Sequence, residues 1–262
     1  MTSPIAALSP ASRAFVRATE ERARRAWPAL EEESLEGWLL RFAAGATRRS
    51  NSVHPVGDVR DVTAALAECT RRYLLRGLVP RLHLHAAVCP TGLDDALAAA
   101  GWERELEACV HVADLEGIGG SAEPRGADVR ILRSPEPPWV DPFARWRGLG
   151  GEPRARHVAI LERDAPARGF AVVSERGLPR AVGLAVADEG WVGLFDIVTD
   201  PAARRRGFAR VLVRGLLDWG REQGARRAYL QVEATNAPAL ALYAAFGFRE
   251  AYRYWYRRPG TA

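Results

Sequence analysis

The sequence predicts an α/β chain of the α+β kind, organised as two related domains. Apolar residues switch repeatedly between a period of two and a period near 3.6, as strands alternating with helices require. The closing segments of the two halves also align. "DDALAAAGWERELEACVHVAD" (94–114) and "PALALYAAFGFREAYRYWYRR" (238–258) share the order helix, Gly-aromatic, charged pair, aromatic or β-branched strand. Gly101-Trp102 corresponds to Gly247-Phe248, an internal repeat with a period of about 146 residues. Between the halves, "EGIGGSAEPRGA" (Glu116 to Ala127) is rich in Gly, Ser and Pro and without periodicity, so it reads as a linker. The expected division is 1–117, a linker at 118–127, and 128–262.

The first half opens with an amphipathic helix, about Ser12 to Trp27. Strand-like "GWLLRFAAG" and "ATRRSNSVHPVG" follow, the second stopping at a Pro/Gly turn. "DVRDVTAALAECTRRYLLRGL" has helical spacing, with Asp58 placed as N-cap and Gly77 near the end. "RLHLHAAV" alternates as a strand, "GLDDALAAAG" is a short helix, and "EACVHVAD" is another strand. The second half begins irregularly with "RSPEPPWVDP", whose prolines argue against helix or central strand. "RGFAVVSERGLPRAVGLAVADEGWVGLFDIVTD" then reads as successive strands joined by Gly/Pro turns. "ARRRGFARVLVRGLLDWGREQG" is a helix with Phe208, Val211, Leu212, Leu216, Leu217 and Trp219 on its apolar face. "RRAYLQVEAT" is a strand, "NAPALALYAAFG" a helix opened by Asn236, and "AYRYWYRR" a final strand.

Composition narrows the function classes. With 48% hydrophobic and 26% charged residues, a packed core is expected. No apolar run approaches the roughly 18 residues of a membrane span. The start lacks a basic region followed by an apolar one, so no secretory signal is expected, and a cytoplasmic protein is. Cys69, Cys89 and Cys109 stand far apart, which supports neither a disulfide framework nor zinc. The five histidines (His54, His83, His85, His111 and His157) are scattered without an evident carboxylate or cysteine partner, so no metal is expected. The sequence pI is about 9.5 but the net charge is only +5. All cations other than histidine are arginine, interleaved with Glu and Asp as on solvated helix faces. No nucleic-acid partner is expected from that pattern.

The chemistry concentrates in "DIVTDPAARRRGFARVL" (196–212). A strand that ends in a loop opening a helix offers unsatisfied N–H groups and a positive dipole end to an anion. Pro201 stops the strand, Gly207 removes a side chain at the turn, and the small Ala209 leaves room. There is no GK[ST] and no GxGxxG after a strand, so the Walker and dinucleotide-binding motifs are excluded.

Arg204-x-x-Gly207-x-Ala209 resembles the pyrophosphate-binding signature of the GCN5-related N-acetyltransferase (GNAT) superfamily, written Q/R-x-x-G-x-G/A. "EATNAPALALYAAFGFRE", at the family's usual distance, resembles its second motif. The resemblance covers about 128–258. It implies tandem domains, each a mixed, mostly antiparallel twisted sheet flanked by helices, the N-terminal one degenerate. "GWLLRFAAGATRRSNSVHPVG" with such a C-terminal domain also looks like a bacterial two-domain branch. Aligned through Gly101 and Gly247, Tyr243 falls opposite Leu97, and the N-terminal helix lacks an R-x-x-G-x-A start. That domain is therefore expected to act as a structural or substrate-shaping wall.

The resemblance further implies direct acetyl transfer from acetyl-CoA to an amine acceptor, with CoA as product and the chain a monomer or homodimer. Acetyl-CoA would lie between the strand ending at Thr199 and the strand around Gln231. Backbone groups of Ile197, Val198 and Thr199 would hold the acetyl and pantetheine portions. The Arg204, Arg205, Arg206, Gly207, Phe208, Ala209, Arg210 run would cradle pyrophosphate. Asn236 and Ala239 would reach the pantetheine arm, and Tyr243 would give a proton to the departing sulfur. Related ribosomal-protein acetyltransferases carry a glutamate five residues before the motif's Asn; here that position is Gln231. Asp196 and Glu233 remain as candidate bases, or a water relay. Acceptor contacts are expected from the 147–156 loop. The rival reading is a non-catalytic acyl-CoA-binding sensor or interaction module, which an intact Tyr243 disfavours.

Overall fold

The computed structural model describes residues 9–85, 92–118 and 127–260. The expected linker and Cys89 lie almost wholly outside them. Packing divides the chain into one unit of Met1–Ala108 with Tyr252–Ala262, and a second of Cys109–Ala251. Each is a mixed, mostly antiparallel sheet flanked by helices, the architecture predicted from the sequence.

In the first unit α1 (Pro10–Ala26) starts where the Ser9 hydroxyl accepts the Ser12 N–H at 3.1 Å. Strands β1 (Glu31–Leu35), β2 (Trp38–Phe42), β3 (Val53–Pro55) and β4 (Leu82–His85) follow, with α2 (Val62–Leu75) between β3 and β4. The short helix α3 (Leu93–Ala99) precedes β5 (Trp102–Asp114), and the end of the last strand, β11 (Arg249–Pro259), pairs antiparallel with β4. The order is β1-β2-β3-β4-β11-β5. Trp38, Leu40, Val53, Leu82, Leu84, Tyr73 and Trp255 form the apolar core.

Two expectations are corrected here. Helix α2 begins three residues later than read, capped by Asp61, whose carboxylate accepts the Ala64 N–H at 3.0 Å. Residues 57–60 are held elsewhere: Gly57 N–H reaches the Gly37 carbonyl at 2.7 Å, and Arg60 N–H reaches Glu36. Of "ATRRSNSVHPVG", only Val53–Pro55 is strand. The segment before it is a turn closed by Asn51, whose Oδ1 accepts from the Ala43 and Gly45 N–H groups.

The second unit holds β6 (Ala127–Leu132), α4 (Pro137–Arg147), α5 (Gly151–Leu161), β7 (Ala167–Glu175), β8 (Leu178–Asp188), β9 (Trp191–Thr199), α6 (Phe208–Glu222), β10 (Arg227–Glu233) and α7 (Ala237–Ala244). The order is β10-β9-β8-β7-β6, antiparallel except for β9 with β10. Helix α6 buries Phe208, Val211, Leu212, Leu216 and Leu217 with β7–β10 residues such as Val173, Ala185, Val192 and Leu230. Gly220 lets α6 approach β9 closely, since a Cβ there would meet Val192 at 2.8 Å.

The proline-rich "RSPEPPWVDP" is also corrected: it is largely α4. Pro137 and Pro138 occupy the first helical positions, where an N–H has no intrahelical acceptor to lose. Pro142 sits inside the helix. Helix α4 then buries Trp139, Val140 and Phe143. Residues 147–156, expected as a loop, are the end of α4, a short turn and the start of α5. Among the described residues no helix is long and apolar enough to cross a membrane.

Candidate active site

Strand β9 changes partners along its length. It pairs with β10 only over Trp191–Leu194, opposite Arg227–Leu230. Past that point its other edge carries an irregularity. Leu184 of β8 stands opposite Phe195 and Val182 opposite Val198, so Gly183 faces two residues, Asp196 and Ile197. This is a β-bulge, a device that bends a strand and re-aims side chains. Asp196 takes the extra turn with φ 50, a left-handed conformation that Asp adopts more readily than most non-glycine residues. Gly183 permits it, because a Cβ there would lie 2.7 Å from Ile197 Cδ1.

Helices α4 and α5 brace the bulge. Trp139 donates its indole N–H to the Gly183 carbonyl at 2.9 Å. Its ring stacks on Phe143 (centroids 4.9 Å apart, 13° between planes), and Phe143 stacks on His157 (4.7 Å, 24°). His157 Nε2 lies 2.8 Å from Asp196 Oδ2. His157 is buried and Asp196 half-buried. Sequence reasoning named Asp196 as a candidate base but missed its partner. His157 is the one histidine in 128–262, but no local spacing links it to Asp196, 39 residues away.

The expectation that the histidines lack carboxylate or cysteine partners is thus corrected more than once. Glu20 gathers with His83 and His85 in the first unit, and Cys109 with His111 and Glu250 in the second. Segments distant in sequence supply most of these partners, which scattered single residues do not reveal.

After β9 the chain turns through Asp200, whose side chain accepts the Ala202 N–H at 3.0 Å and meets Arg180 at 3.4 Å. Arg204 is extended, Arg205 has φ 62, and Gly207 caps α6 with φ 89 and no side-chain hydrogen bond. Buried Ala203 and Phe208 anchor the two ends of this loop. The first N–H groups to reach back within α6 are those of Arg210 and Val211, both to Gly207. A helix start leaves the preceding donors without intrahelical partners, so residues 205–209 offer N–H groups to an anion. Arg204 and Arg205 are exposed. Arg206 is tied to Glu175 and lies over the Phe208 ring, while the Arg210 guanidinium lies 5.8 Å from the Phe246 centroid.

Opposite β9, Gln231 is half-buried and its Oε1 has no hydrogen-bond partner. Glu233 is exposed at the end of β10. Asn236 caps α7, its Oδ1 accepting the Ala239 N–H at 3.2 Å. Tyr243 is buried and edge-on to Phe248 at 6.0 Å; burial pushes its hydroxyl pKa up to about 12. Ile197, Val198 and Thr199 complete β9 past the bulge, with Val198 opposite Val182 and Thr199 opposite Ala181. The unit thus presents a loop of N–H groups at the start of α6, a carboxylate–imidazole pair and a protonated phenol.

The chain is similar to known proteins in sequence and in fold. Residues 13–257 match the family model described as probable histone acetyltransferase Rv0428c C-terminal. The chain is 30% identical over 243 residues to the uncharacterised N-acetyltransferase YobR of Bacillus subtilis, covering 92% of this chain and 98% of YobR. In fold it is similar to a GCN5-related N-acetyltransferase from Kribbella flavida, with TM-score 0.72, 15% identity and 96% of each chain covered. It is also similar to a tandem GNAT protein from the clavulanic acid biosynthesis pathway, with TM-score 0.61, 16% identity, and 100% and 91% of the two chains covered.

Proposed function

Because the chain belongs to the Rv0428c C-terminal family of GNAT-type acetyltransferases, we propose that it transfers an acetyl group from acetyl-CoA directly to an amine. The observation that carries this reading is the end of the β9/β10 ladder at Leu194, followed by the bulge and the capless start of α6. A strand edge without a partner leads there into five consecutive N–H groups, an arrangement suited to an extended ligand ending in phosphates.

Acetyl-CoA brings an activated thioester; the chain's own residues do the rest. The backbone of Ile197–Thr199 holds the acyl arm, and the N–H groups of 205–209 hold pyrophosphate, with Arg204 and Arg205 adding charge. Asn236 and Ala239 border the arm at the start of α7. The attacking amine must be neutral, so a base is required. Asp196 fills that role, with His157 orienting its carboxylate and sharing the proton. Glu233, exposed at the strand end, lies at the rim. Tyr243 keeps its proton at any physiological pH. A thiol, near pKa 8.5, is a stronger acid than this buried phenol, so Tyr243 acts mainly by hydrogen-bonding the departing sulfur. The acceptor is a small-molecule amine or a protein amino group, and the family description, a probable histone acetyltransferase, favours testing lysine peptides first. The two sequence domains, 1–117 and 128–262, are proposed as a non-catalytic wall and the catalytic module.

The test is calorimetric titration with acetyl-CoA, then thiol release with an amine panel that includes lysine peptides. Micromolar acetyl-CoA binding and acceptor-dependent thiol release are expected. No binding would overturn the proposal, and binding without release for any amine would favour the sensor reading.

A further inference from the structure

Alternation along Leu82–His85 sorts four residues onto two faces of the first unit's sheet. Leu82 and Leu84 enter the apolar core with Trp38 and Trp255. His83 and His85 turn the other way and are equally buried, 3% and 4% exposed, as is Glu20 of α1 at 2%. Aromatic rings surround them: His83 lies 4.6 Å from the His54 ring, 4.5 Å from Tyr254 and 5.2 Å from Tyr256.

Hydrogen bonding does not account for this burial. Glu20 Oε1 accepts the Tyr252 hydroxyl at 2.6 Å, but Oε2 stands 3.8 Å from His83 Nε2, beyond hydrogen-bond reach. The Nδ1 atoms of His83 and His85 are buried without any hydrogen-bond partner. Unpartnered polar atoms of this kind are costly, and a fold keeps them where something else occupies their lone pairs. One donor atom from each of Glu20, His83 and His85 lies within 4.8 Å of the other two. Donors at about 2.0–2.2 Å around one tetrahedral ion stand roughly 3.4 Å apart, so rotamer adjustments of about an ångström suffice.

We propose that Glu20, His83 and His85 form a binding site for one divalent first-row transition metal ion of the zinc type. Two imidazoles with one carboxylate suit zinc or ferrous iron, whereas calcium and magnesium demand oxygen donors. Tyr252, bonded to Glu20, orients the carboxylate from outside the donor set, and a fourth position stays open. Arg24, Arg41 and Arg49 also act on Glu20. Arg41 has its own partners in Glu32 and the carbonyls of Arg24, Trp27 and Arg49. The remaining positive charge weakens the site, so binding is micromolar rather than of zinc-finger strength. The site lies in the unit that carries no catalytic group, and is independent of acetyl transfer.

The full chain, stripped with EDTA and desalted, is titrated with Zn²⁺ against a chromogenic chelator and, separately, with Co²⁺ followed by visible absorption. One equivalent of Zn²⁺, a raised melting temperature and four-coordinate Co²⁺ bands are expected. His83→Gln and His85→Gln should each lose uptake at least tenfold and lose the Zn²⁺-dependent rise, while melting cooperatively in EDTA. His111→Gln, which alters the Cys109, His111, Glu250 group, should bind as wild type does. Less than a tenth of an equivalent bound by the wild type overturns the proposal. So does equal uptake by the His83 and His85 variants, or loss of uptake in His111→Gln. If the glutamine variants fail to fold, the Co²⁺ spectrum of His111→Gln decides: its four-coordinate bands should match the wild type, and their loss overturns the proposal.

Discussion

The Nε2 atom of His157 and the Oδ2 atom of Asp196 lie 2.8 Å apart, joining helix α5 to the bulge in β9. A carboxylate in a left-handed bulge and an imidazole stacked on Phe143 are each costly to place, and together they satisfy one another. If the pair serves as the base, Asp196→Asn lowers kcat/KM about 10²- to 10⁴-fold, the range of general base catalysis. Acetyl-CoA affinity stays within about twofold, because the N–H groups proposed to hold phosphate are untouched. His157→Gln keeps a donor to Asp196 but removes the imidazole stacked on Phe143. It should lower kcat with KM little changed, and kinetics equal to the wild type would reduce His157 to a packing residue.

Tyr243 separates two roles for a buried phenol. Tyr243→Phe preserves the ring that meets Phe248 and removes the hydroxyl. Turnover should fall about 10- to 100-fold while acetyl-CoA affinity changes little. Single-turnover rates beside calorimetric affinities check this, and an unchanged rate removes Tyr243 from the chemistry.

The same burial carries a pH signature. Tyr243 titrates near 10 when unfolded and at about 12 when folded, so the folded chain holds more protons between those values. Its contribution to stability is complete below pH 10 and is lost as pH rises toward 12, at no more than about 1.4 kcal/mol per pH unit. Tyr243→Phe should therefore flatten, not abolish, the alkaline fall in melting temperature. Tyr73 and Tyr256 are raised in the same way and maintain the remainder.

How much of this was legible in the sequence follows from where the determinants lie. Helix α6 is strongly periodic and Gly207 marks its start, so the loop-to-helix turn was readable from residues in one short segment. Asn236 likewise caps α7 as its position suggested. The edge strands β1 and β6 were not readable: three of the five residues of "EEESL" are charged and it is largely exposed, and an edge strand with one wet face lacks the apolar alternation that signals a strand. Helix α4 was hidden by its prolines, which read as breakers unless the helix start is already known. The bulge, the Trp139–Gly183 bond and the His157–Asp196 pair depend on strand register and on helices 39 or more residues away in sequence. Local pattern does not encode those.

Trp139 tests whether the bulge needs its brace. Trp139→Phe retains an aromatic ring against Phe143 but leaves the buried Gly183 carbonyl without its indole donor. An orphaned buried acceptor costs about 1–3 kcal/mol, and the smaller ring adds a cavity. Chemical denaturation should show a loss of that size with an unchanged m-value, and kcat should fall because Asp196 is displaced. Full activity in the destabilised variant would show that the bulge holds its shape unaided.

The anion loop is tested by comparing two glycines at the two ends of α6. Gly207 (φ 89) caps its start and Gly224 (φ 83) follows its end, so an alanine is strained alike at either place. That strain costs about 1–2 kcal/mol, and both Gly207→Ala and Gly224→Ala should lower the melting temperature by similar amounts. Only Gly207→Ala re-aims the N–H groups of residues 205–209. Its acetyl-CoA affinity should drop tenfold or more, with that of Gly224→Ala unchanged. The loss should be smaller for dephosphorylated pantetheine analogues, which make no use of the loop. Equal losses of affinity in both variants would mean that stability, rather than the geometry at Gly207, governs binding.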